Sequence, residues 1–293
     1  MLLTSFIDYL RFEKRYSEHT IIAYQTDIIQ FQQFIASQGL DVSDTQRNTI
    51  RYWLVSLQSK NISHRSIHRK ISSVNSFYKF MMRSKLVKHN PTQDISLPKI
   101  SKKIPLTISE NKLEMLLNRK DIFKDTVLGF QSKLIIELLY GTGIRLSELL
   151  NLKSTDIDFN QSTIRIMGKG SKERLVPVYP QLLSVIKTHE FYKKNDIIYQ
   201  NCPYLISTSR GTKAYPMFIN RIVKQYLSIV STQKKVNPHL LRHSFATSIL
   251  NNGGELNAIK DILGHANLAA TQIYTHNTTE RLKSIYKTAH PRA

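Results

Sequence analysis

The sequence predicts a mainly α-helical protein of two domains, with a small antiparallel β-sheet in the second domain. Apolar residues recur at helical spacing along most of the chain. Short runs typical of strands occur only between residues 155 and 207. Prolines at 91, 98 and 105 interrupt the helical pattern near residue 100, where helices rarely continue. The 293 residues, 41% of them hydrophobic, suffice for two separate cores.

The first domain is predicted to be a small helical bundle, because no alternating strand pattern occurs in the first hundred residues. Ser17 is the expected N-cap of a long helix that ends before Gly39. A shorter helix contains Trp53, and another begins near Ser63. We place this domain at residues 1–98, a basic linker at 99–108 and the second domain at 109–293.

The second domain is predicted to combine helices with three or four short strands. Helices are expected at Ser109–Asn118 and Phe123–Tyr140, and Gly141-Thr142-Gly143 leads into a helix that ends at Leu150. The expected strands are Thr155–Phe159, Thr163–Met167, Arg174–Val178 and Tyr204–Ser207, with a hairpin turn at Gly168–Ser171. Pro238 suits the first residue of a later helix.

The charge of the chain indicates a polyanionic partner. Lys and Arg number 42 against 21 Asp and Glu, a net charge of +21. An anionic membrane is the rival of nucleic acid, but no apolar run approaches the roughly 20 residues that a membrane span needs. No signal-peptide pattern opens the chain, and Cys202 is the only cysteine, so no disulfide framework is expected. We therefore expect a cytoplasmic, nucleoid-associated protein that binds double-stranded DNA.

One segment of the first domain is basic throughout. Between Asp44 and Asp94 there is no acidic residue, whereas a solvated helix face normally mixes both signs. Arg65, Arg69 and Lys70 have helical spacing, and we place them on the helix face opposite the apolar stripe. The predicted DNA-binding residues, two of them in the linker, are Arg47, Arg51, Arg65, Arg69, Lys70, Lys102 and Lys103.

Four short segments of the second domain carry candidate chemistry, and each has an ordinary interpretation when it stands alone. Arg145 and Glu148 could form a surface ion pair, although the apolar flanks indicate a buried arginine that needs an anion. Lys169 could be an ordinary polar residue of a glycine-rich hairpin turn. His239 with His243 could bind a metal, but no Glu or Cys set accompanies them. Tyr274 could be a core residue.

Taken together, these segments supply what phosphoryl transfer to tyrosine requires. Two arginines can bind the non-bridging oxygens of a phosphodiester as negative charge develops there. Histidine and lysine can move the protons that an attacking phenol loses and a departing 5′ oxygen gains. The full set is Arg145, Lys169, His239, Arg242, His265 and Tyr274.

These six residues and their flanking strings resemble the tyrosine recombinase (phage integrase) family, within it the Xer-type, XerC/XerD-like branch. The matching strings are 141–152, 168–177, 238–246 and 263–265, and the segment 275–293 is also similar. Ala269 and Ala270 depart from the family, which often has Ser or Thr there. The resemblance implies a SAM-like helical domain and a catalytic domain that form a C-shaped clamp round DNA.

The resemblance also implies a mechanism without a metal, ATP or other cofactor. Arg145 and Arg242 would bind the scissile phosphate, and Tyr274 would attack it to form a 3′-phosphotyrosine. Lys169 would protonate the leaving 5′ oxygen, His239 would assist the nucleophile and His265 would bind the phosphate, while Glu148 supports Arg145.

The implied assembly is a homo- or heterotetramer on two DNA sites, held together through a C-terminal helix at Thr278–Tyr286. A second Xer recombinase and a DNA translocase are the implied partners, and resolution of chromosome dimers at a dif-like site during cell division is the implied task. An integrase of a phage or transposon shares this chemistry, and a type IB topoisomerase also uses a tyrosine. A non-catalytic DNA-binding protein is the alternative of a different class.

Overall fold

The computed structural model describes residues 2–100, 106–119, 121–168, 173–233, 236–264 and 276–293, without the side chains of 276–279 and 281. The chain divides into two compact units, Met1–Lys103 and Ile104–Ala293. Each unit has its own hydrophobic core. The functional assignment of the predicted domains stays a prediction.

The first unit is a bundle of helices. They are α1 (Leu2–Asp8), which continues into a π-helical turn, α2 (Glu18–Ala36), α3 (Arg47–Ser59) and α4 (His64–Arg83). Ser17 and Ser63 are the N-caps of α2 and α4, as predicted, and the Ser63 hydroxyl accepts a hydrogen bond from the Ser66 amide. Helices α2 and α4 pack together around aromatic residues such as Phe31, whose ring lies 4.9 Å from that of Trp53.

The placement of Lys70 opposite the apolar stripe is wrong. Its side chain is buried, and its ammonium donates a 2.9 Å hydrogen bond to the carboxylate of Asp27, which is fully buried on α2. Arg69 and the hydroxyl of Ser73 also donate to this carboxylate. A buried carboxylate needs such partners. The spacing of residues along α4 does not reveal that Lys70 meets a carboxylate 43 residues away in the sequence. Lys70 therefore offers no exposed cation to DNA.

The second unit is built round a buried helix. Helix α5 (Glu110–Asn118) precedes α6 (Val127–Thr142), whose last nine residues are all buried against α8 (Pro180–Lys194) and α10 (Pro238–Asn251). The predicted start at Phe123 is too early, because Thr126 caps α6 by accepting from the Gly129 amide. Helix α7 (Leu146–Asn151) follows, and α9 (Pro216–Val230), α11 (Leu256–Leu263) and α12 (His276–Ala289) complete the unit.

A three-stranded antiparallel sheet joins these helices in the order β1 (Ile157–Asp158), β2 (Thr163–Met167) and β3 (Glu173–Pro177). In the β2–β3 hairpin, Thr163 pairs with Pro177 and Met167 with Glu173. The prediction of β2 is confirmed, whereas β1 is shorter than expected because a 3-10 turn fills 154–156. The strand expected at Tyr204–Ser207 is wrong: these two residues make only isolated bridges, to Lys153 and Lys213.

The C-terminal segment packs on its own unit. Leu282 and Ile285 lie on the apolar side of α12, as predicted, and they contact the core of the second unit. Tyr286 is buried and its hydroxyl donates a 2.7 Å hydrogen bond to the carbonyl of Gly141. The His290 ring stacks on those of Tyr179 and Tyr286. Docking of this apolar side of α12 on another protomer would require it to leave these contacts. Across the described ranges, no helix is long and apolar enough to cross a bilayer.

Candidate active site

The end of α11 gathers three arginines from three different elements. Each of the last two carbonyls of α11 and the carbonyl of its C-cap accepts one hydrogen bond of 2.7 Å from a different guanidinium. The pairs are Ile262 with Arg174, Leu263 with Arg242, and Gly264 with Arg145. Carbonyls at a helix C-terminus lack intrahelical donors and carry the negative end of the helix dipole, so they favour cations. The C-terminal end of α11 therefore holds the three guanidiniums that form the core of the site.

Gly264 is required where it stands. It ends α11 in the left-handed conformation, with φ of +63°. A Cβ atom at this position would lie 3.1 Å from a terminal nitrogen of Arg174, which is tighter than nine in ten real Cβ contacts. The helix end and the guanidinium therefore approach each other as closely as they do because residue 264 has no side chain.

Arg145 is the N-cap residue of α7, and Glu148 anchors it. One oxygen of Glu148 accepts from the Arg145 amide and the other accepts from its guanidinium, both at 2.8 Å. The predicted ion pair is therefore present. The Arg145 side chain stays 36% exposed, whereas that of Glu148 is 4% exposed. Glu148 thus holds Arg145 in place, while part of the Arg145 side chain stays accessible to solvent.

Arg174 on β3 is the residue that the sequence analysis missed. It is 5% exposed and donates to both oxygens of Glu148, at 2.9 and 2.7 Å. Burial by itself would raise the pKa of Glu148, but the hydrogen bonds and charge of Arg174, followed by the hydrogen bonds from Arg145, hold that pKa at about 2. A usable signal existed, because strand alternation places Arg174 on the same buried face as Val176.

Arg242 reaches the same place from α10. It is 8% exposed, and its guanidinium donates to the carbonyl of Gly143 and to that of Leu263. Gly143 has φ of +60°, and a Cβ there would collide with Phe245. Burial, and after it the positive charge of Arg145, lowers the pKa of Arg242 to about 10. Two arginines that destabilise each other's charge form a site whose natural complement is an anion.

His239 lies at the start of α10, one turn before Arg242. Pro238 is the first residue of this helix, as predicted, and the side chain of Asn237 caps it by accepting from the Leu240 amide. His239 is exposed. Residues three apart share a helix face, so His239 and Arg242 are neighbours at a helix N-terminus, which favours phosphate.

Three of the six predicted catalytic residues lie outside the described residues: Lys169, His265 and Tyr274. Each lies, in sequence, within two residues of a described element. Lys169 belongs to the connection between β2 and β3, and His265 directly follows Gly264, the C-cap of α11. Tyr274 stands two residues before α12. Within the described part of the chain, no group of three or more His, Cys, Asp or Glu side chains could hold a metal ion.

The predicted DNA-binding residues of the first unit have different surroundings. Arg51 and Arg65 are exposed. Arg47 is also exposed and donates to the carbonyl of Asp94, and Arg69 is bonded to Asp27. Lys102 and Lys103 are not among the described residues. Arg51 and Arg65 are thus the described residues of this set most available to a phosphate.

Comparison with known proteins finds similar families and similar individual proteins. Residues 107–281 match the phage integrase family, and residues 3–85 match the phage integrase N-terminal SAM-like domain. The tyrosine recombinase XerC of Bacillus licheniformis is 37% identical over 295 residues, covering 99% of this chain and 96% of the relative. These matches extend over both units of the structure.

Solved structures agree with this relationship. XerA recombinase is 28% identical, covers 100% of this chain and 99% of its own, and has a TM-score of 0.50. The XerH site-specific recombinase bound to palindromic difH substrate, in a post-cleavage complex, is 21% identical, with coverage of 96% and 82% and a TM-score of 0.72, which is a likeness of fold. The chain therefore belongs to the phage integrase family as an Xer-type tyrosine recombinase, an enzyme that exchanges DNA strands by tyrosine transesterification.

Proposed function

We propose that this recombinase resolves chromosome dimers at a dif-like site during cell division, by way of a 3′-phosphotyrosine at Tyr274. The observation that carries the proposal is the convergence of Arg145 and Arg242 on the end of α11. Of the five N–H donors of each guanidinium, the described contacts of each use two, so donors remain for a phosphate. The XerC and XerH relatives support the choice of task.

In the proposed reaction, Arg145 and Arg242 bind the scissile phosphate and Glu148 holds Arg145. The Tyr274 oxygen attacks phosphorus and loses its proton with help from His239. The bond from phosphorus to the 5′ oxygen breaks, and Lys169 supplies the proton that this oxygen gains. His265 hydrogen-bonds the phosphate. The phosphotyrosine retains the energy of the phosphodiester, so attack by the 5′-hydroxyl of a partner strand reverses the step, with no ATP or metal.

DNA binding by the first unit is part of the proposal. We assign residues 1–98 to a helical DNA-binding domain, 99–108 to a basic linker and 109–293 to the catalytic domain. The basic residues proposed to contact phosphates are Arg47, Arg51, Arg65, Arg69, Lys102 and Lys103. Lys70 is withdrawn from this set because its ammonium is buried against Asp27. The acid-free segment from 45 to 93 supports the assignment.

Assembly is proposed to be a tetramer on two DNA sites in the cytoplasm, with each protomer cutting one strand. A second Xer recombinase and a DNA translocase are the proposed partners. If the apolar face of α12 docks on a neighbouring protomer in place of its own unit, Tyr286 must release the carbonyl of Gly141. Assembly would then be coupled to the turn that also holds Arg242, through Gly143.

Capture of the target site tests this function. The protein is incubated with nicked fragments of its host chromosome, covalent adducts are isolated under denaturing conditions, and the attached DNA is sequenced. We expect one chromosomal locus. Two copies of that sequence, placed as direct repeats on a plasmid, should be resolved into two circles by this protein with its partner recombinase. Capture of the ends of a mobile element, and insertion in place of resolution, would support an integrase and contradict the proposal.

A further inference from the structure

Arg174 is a buried residue of the sheet that contacts several parts of the candidate site. From β3 it reaches Glu148 on α7 with two hydrogen bonds, and the carbonyl of Ile262 on α11 with a third at 2.7 Å. Its guanidinium also packs against Gly264. Three elements that carry site residues are therefore connected by one side chain.

We infer that Arg174 is a positioning residue for strand cleavage, which holds Glu148 against Arg145 and ties both to the end of α11. The inference rests on the proposed function of Arg145. Arg174 itself is not assigned to the phosphate, because its charge is paired with both oxygens of Glu148 and its remaining described bond goes to the carbonyl of Ile262, whereas the described bonds of Arg242 go only to backbone carbonyls. Arg174 acts on the reaction through the orientation of Arg145.

The burial of this ion pair argues for positioning in place of stability. Taking both charges out of water costs several kcal/mol per ion, which their attraction seldom exceeds, and well-packed apolar residues often stabilise such a site equally well. What an apolar pair cannot supply is direction. A bidentate Arg174–Glu148 pair fixes the carboxylate plane, and the same carboxylate then orients the Arg145 guanidinium at 2.8 Å.

The charge on Glu148 depends on its arginine partners. The charged groups that act on this carboxylate among the described residues are Arg145, Arg174 and Arg242. With all three present, Glu148 is ionised throughout any ordinary assay range, because its pKa is held at about 2. Removal of Arg174 leaves the burial and takes away the strongest compensating partner, so the pKa of Glu148 rises.

Arg174→Met tests the inference in the full-length protein, with Arg165→Met as a matched control. Arg165 lies on β2 opposite Leu175 and pairs with Asp156 at 3.4 Å, with its side chain 50% exposed. Single-turnover cleavage is measured on a nicked copy of the captured site, beside DNA affinity and thermal unfolding. We expect Arg174→Met to bind DNA normally and to cleave about 10²-fold more slowly, the cost of a misplaced catalytic group. Arg165→Met should cleave at the wild-type rate.

Two further readouts separate positioning from general loss of structure. Cleavage by Arg174→Met should decline towards acid pH, because Glu148 becomes protonated as the pH falls through its raised pKa, whereas wild type shows no such additional decline. Arg174→Lys keeps the charge and should lose rate without gaining the acid limb. In a Glu148→Gln background, Arg174→Met should cost far less than it does alone, because the residue acts through that carboxylate.

A wild-type cleavage rate in Arg174→Met would overturn the inference. So would a loss that is independent of pH and fully additive with Glu148→Gln, since that pattern describes a structural residue. If Arg174→Met is too unstable to assay, the double-variant cycle of Arg174→Lys with Glu148→Gln decides: non-additive losses of rate support the inference, and fully additive losses overturn it. Arg145→Ala is measured in parallel: if it cleaves normally, the proposed function fails, and if only Arg174→Met does, this inference alone fails.

Discussion

Arg242→Ala is expected to slow cleavage of an ordinary phosphodiester by about 10²–10³-fold, the usual cost of removing one donor to a developing oxyanion. Arg242 pairs with no carboxylate among the described residues, and its bonds go to the carbonyls of Gly143 and Leu263. Its charge is therefore available to the phosphate. With the pKa of Arg242 lowered only to about 10, it remains cationic at neutral pH.

The role assigned to Arg242 can be separated from its contribution to folding. When methyl replaces one non-bridging oxygen of the scissile phosphate, the group becomes neutral and needs less positive charge around it. Cleavage of this methylphosphonate by Arg242→Ala should approach that of wild type, provided that its DNA affinity and melting temperature stay close to wild type. Equal defects on both substrates would mean that Arg242 acts on the scaffold and not on the phosphate.

Lys169→Ala is expected to respond to a different change in the substrate, at the 5′ bridging oxygen and not at a non-bridging oxygen. An alkoxide is a poor leaving group, with a conjugate-acid pKa on the order of 16, close to that of water. Protonation during departure is worth about 10²–10⁴ in rate. A thiol, with a pKa of about 8.5, leaves without that proton. Lys169→Ala should therefore be slow on normal DNA and recover much of its rate when sulfur replaces the 5′ bridging oxygen.

Arg145→Ala is the matched control for this experiment. Its predicted task is the charge on the non-bridging oxygens, which a sulfur at the bridging position does not remove. It should therefore recover far less than Lys169→Ala on the sulfur substrate. If sulfur accelerates both variants equally, Lys169 is another phosphate-binding cation and the general acid is a different group.

Local patterns predicted much of the fold because local chemistry determines it. Ser63 and Pro238 begin helices for reasons contained within one turn of chain, a side-chain cap and a fixed φ. Alternation within five residues is enough to define β2. Helix α6 began later than predicted, because the Thr126 cap competes with the apolar pattern that starts at Phe123.

Contacts between distant segments were beyond the reach of local patterns. Lys70 has a helical position that could face solvent or core, and only Asp27 on another helix makes the buried position favourable. Arg174 became a candidate only when Glu148, 26 residues earlier, was found against it. The common platform at Ile262, Leu263 and Gly264 is built from backbone carbonyls, which carry no sequence signature. The support of Arg145 by Glu148 was predictable because the two residues lie three apart in the sequence, whereas Arg174 and the backbone carbonyls that hold the arginines were not.

The most direct measurement is the identity of the amino acid joined to DNA. Adducts formed on the captured site are digested with nuclease and protease, and the modified peptide is sequenced by mass spectrometry. We expect a 3′-phosphate linked to the oxygen of Tyr274, and no denaturation-resistant adduct from Tyr274→Phe, which should still bind the site. A linkage on any other residue, or an adduct from Tyr274→Phe, would contradict the assignment of Tyr274 as the nucleophile.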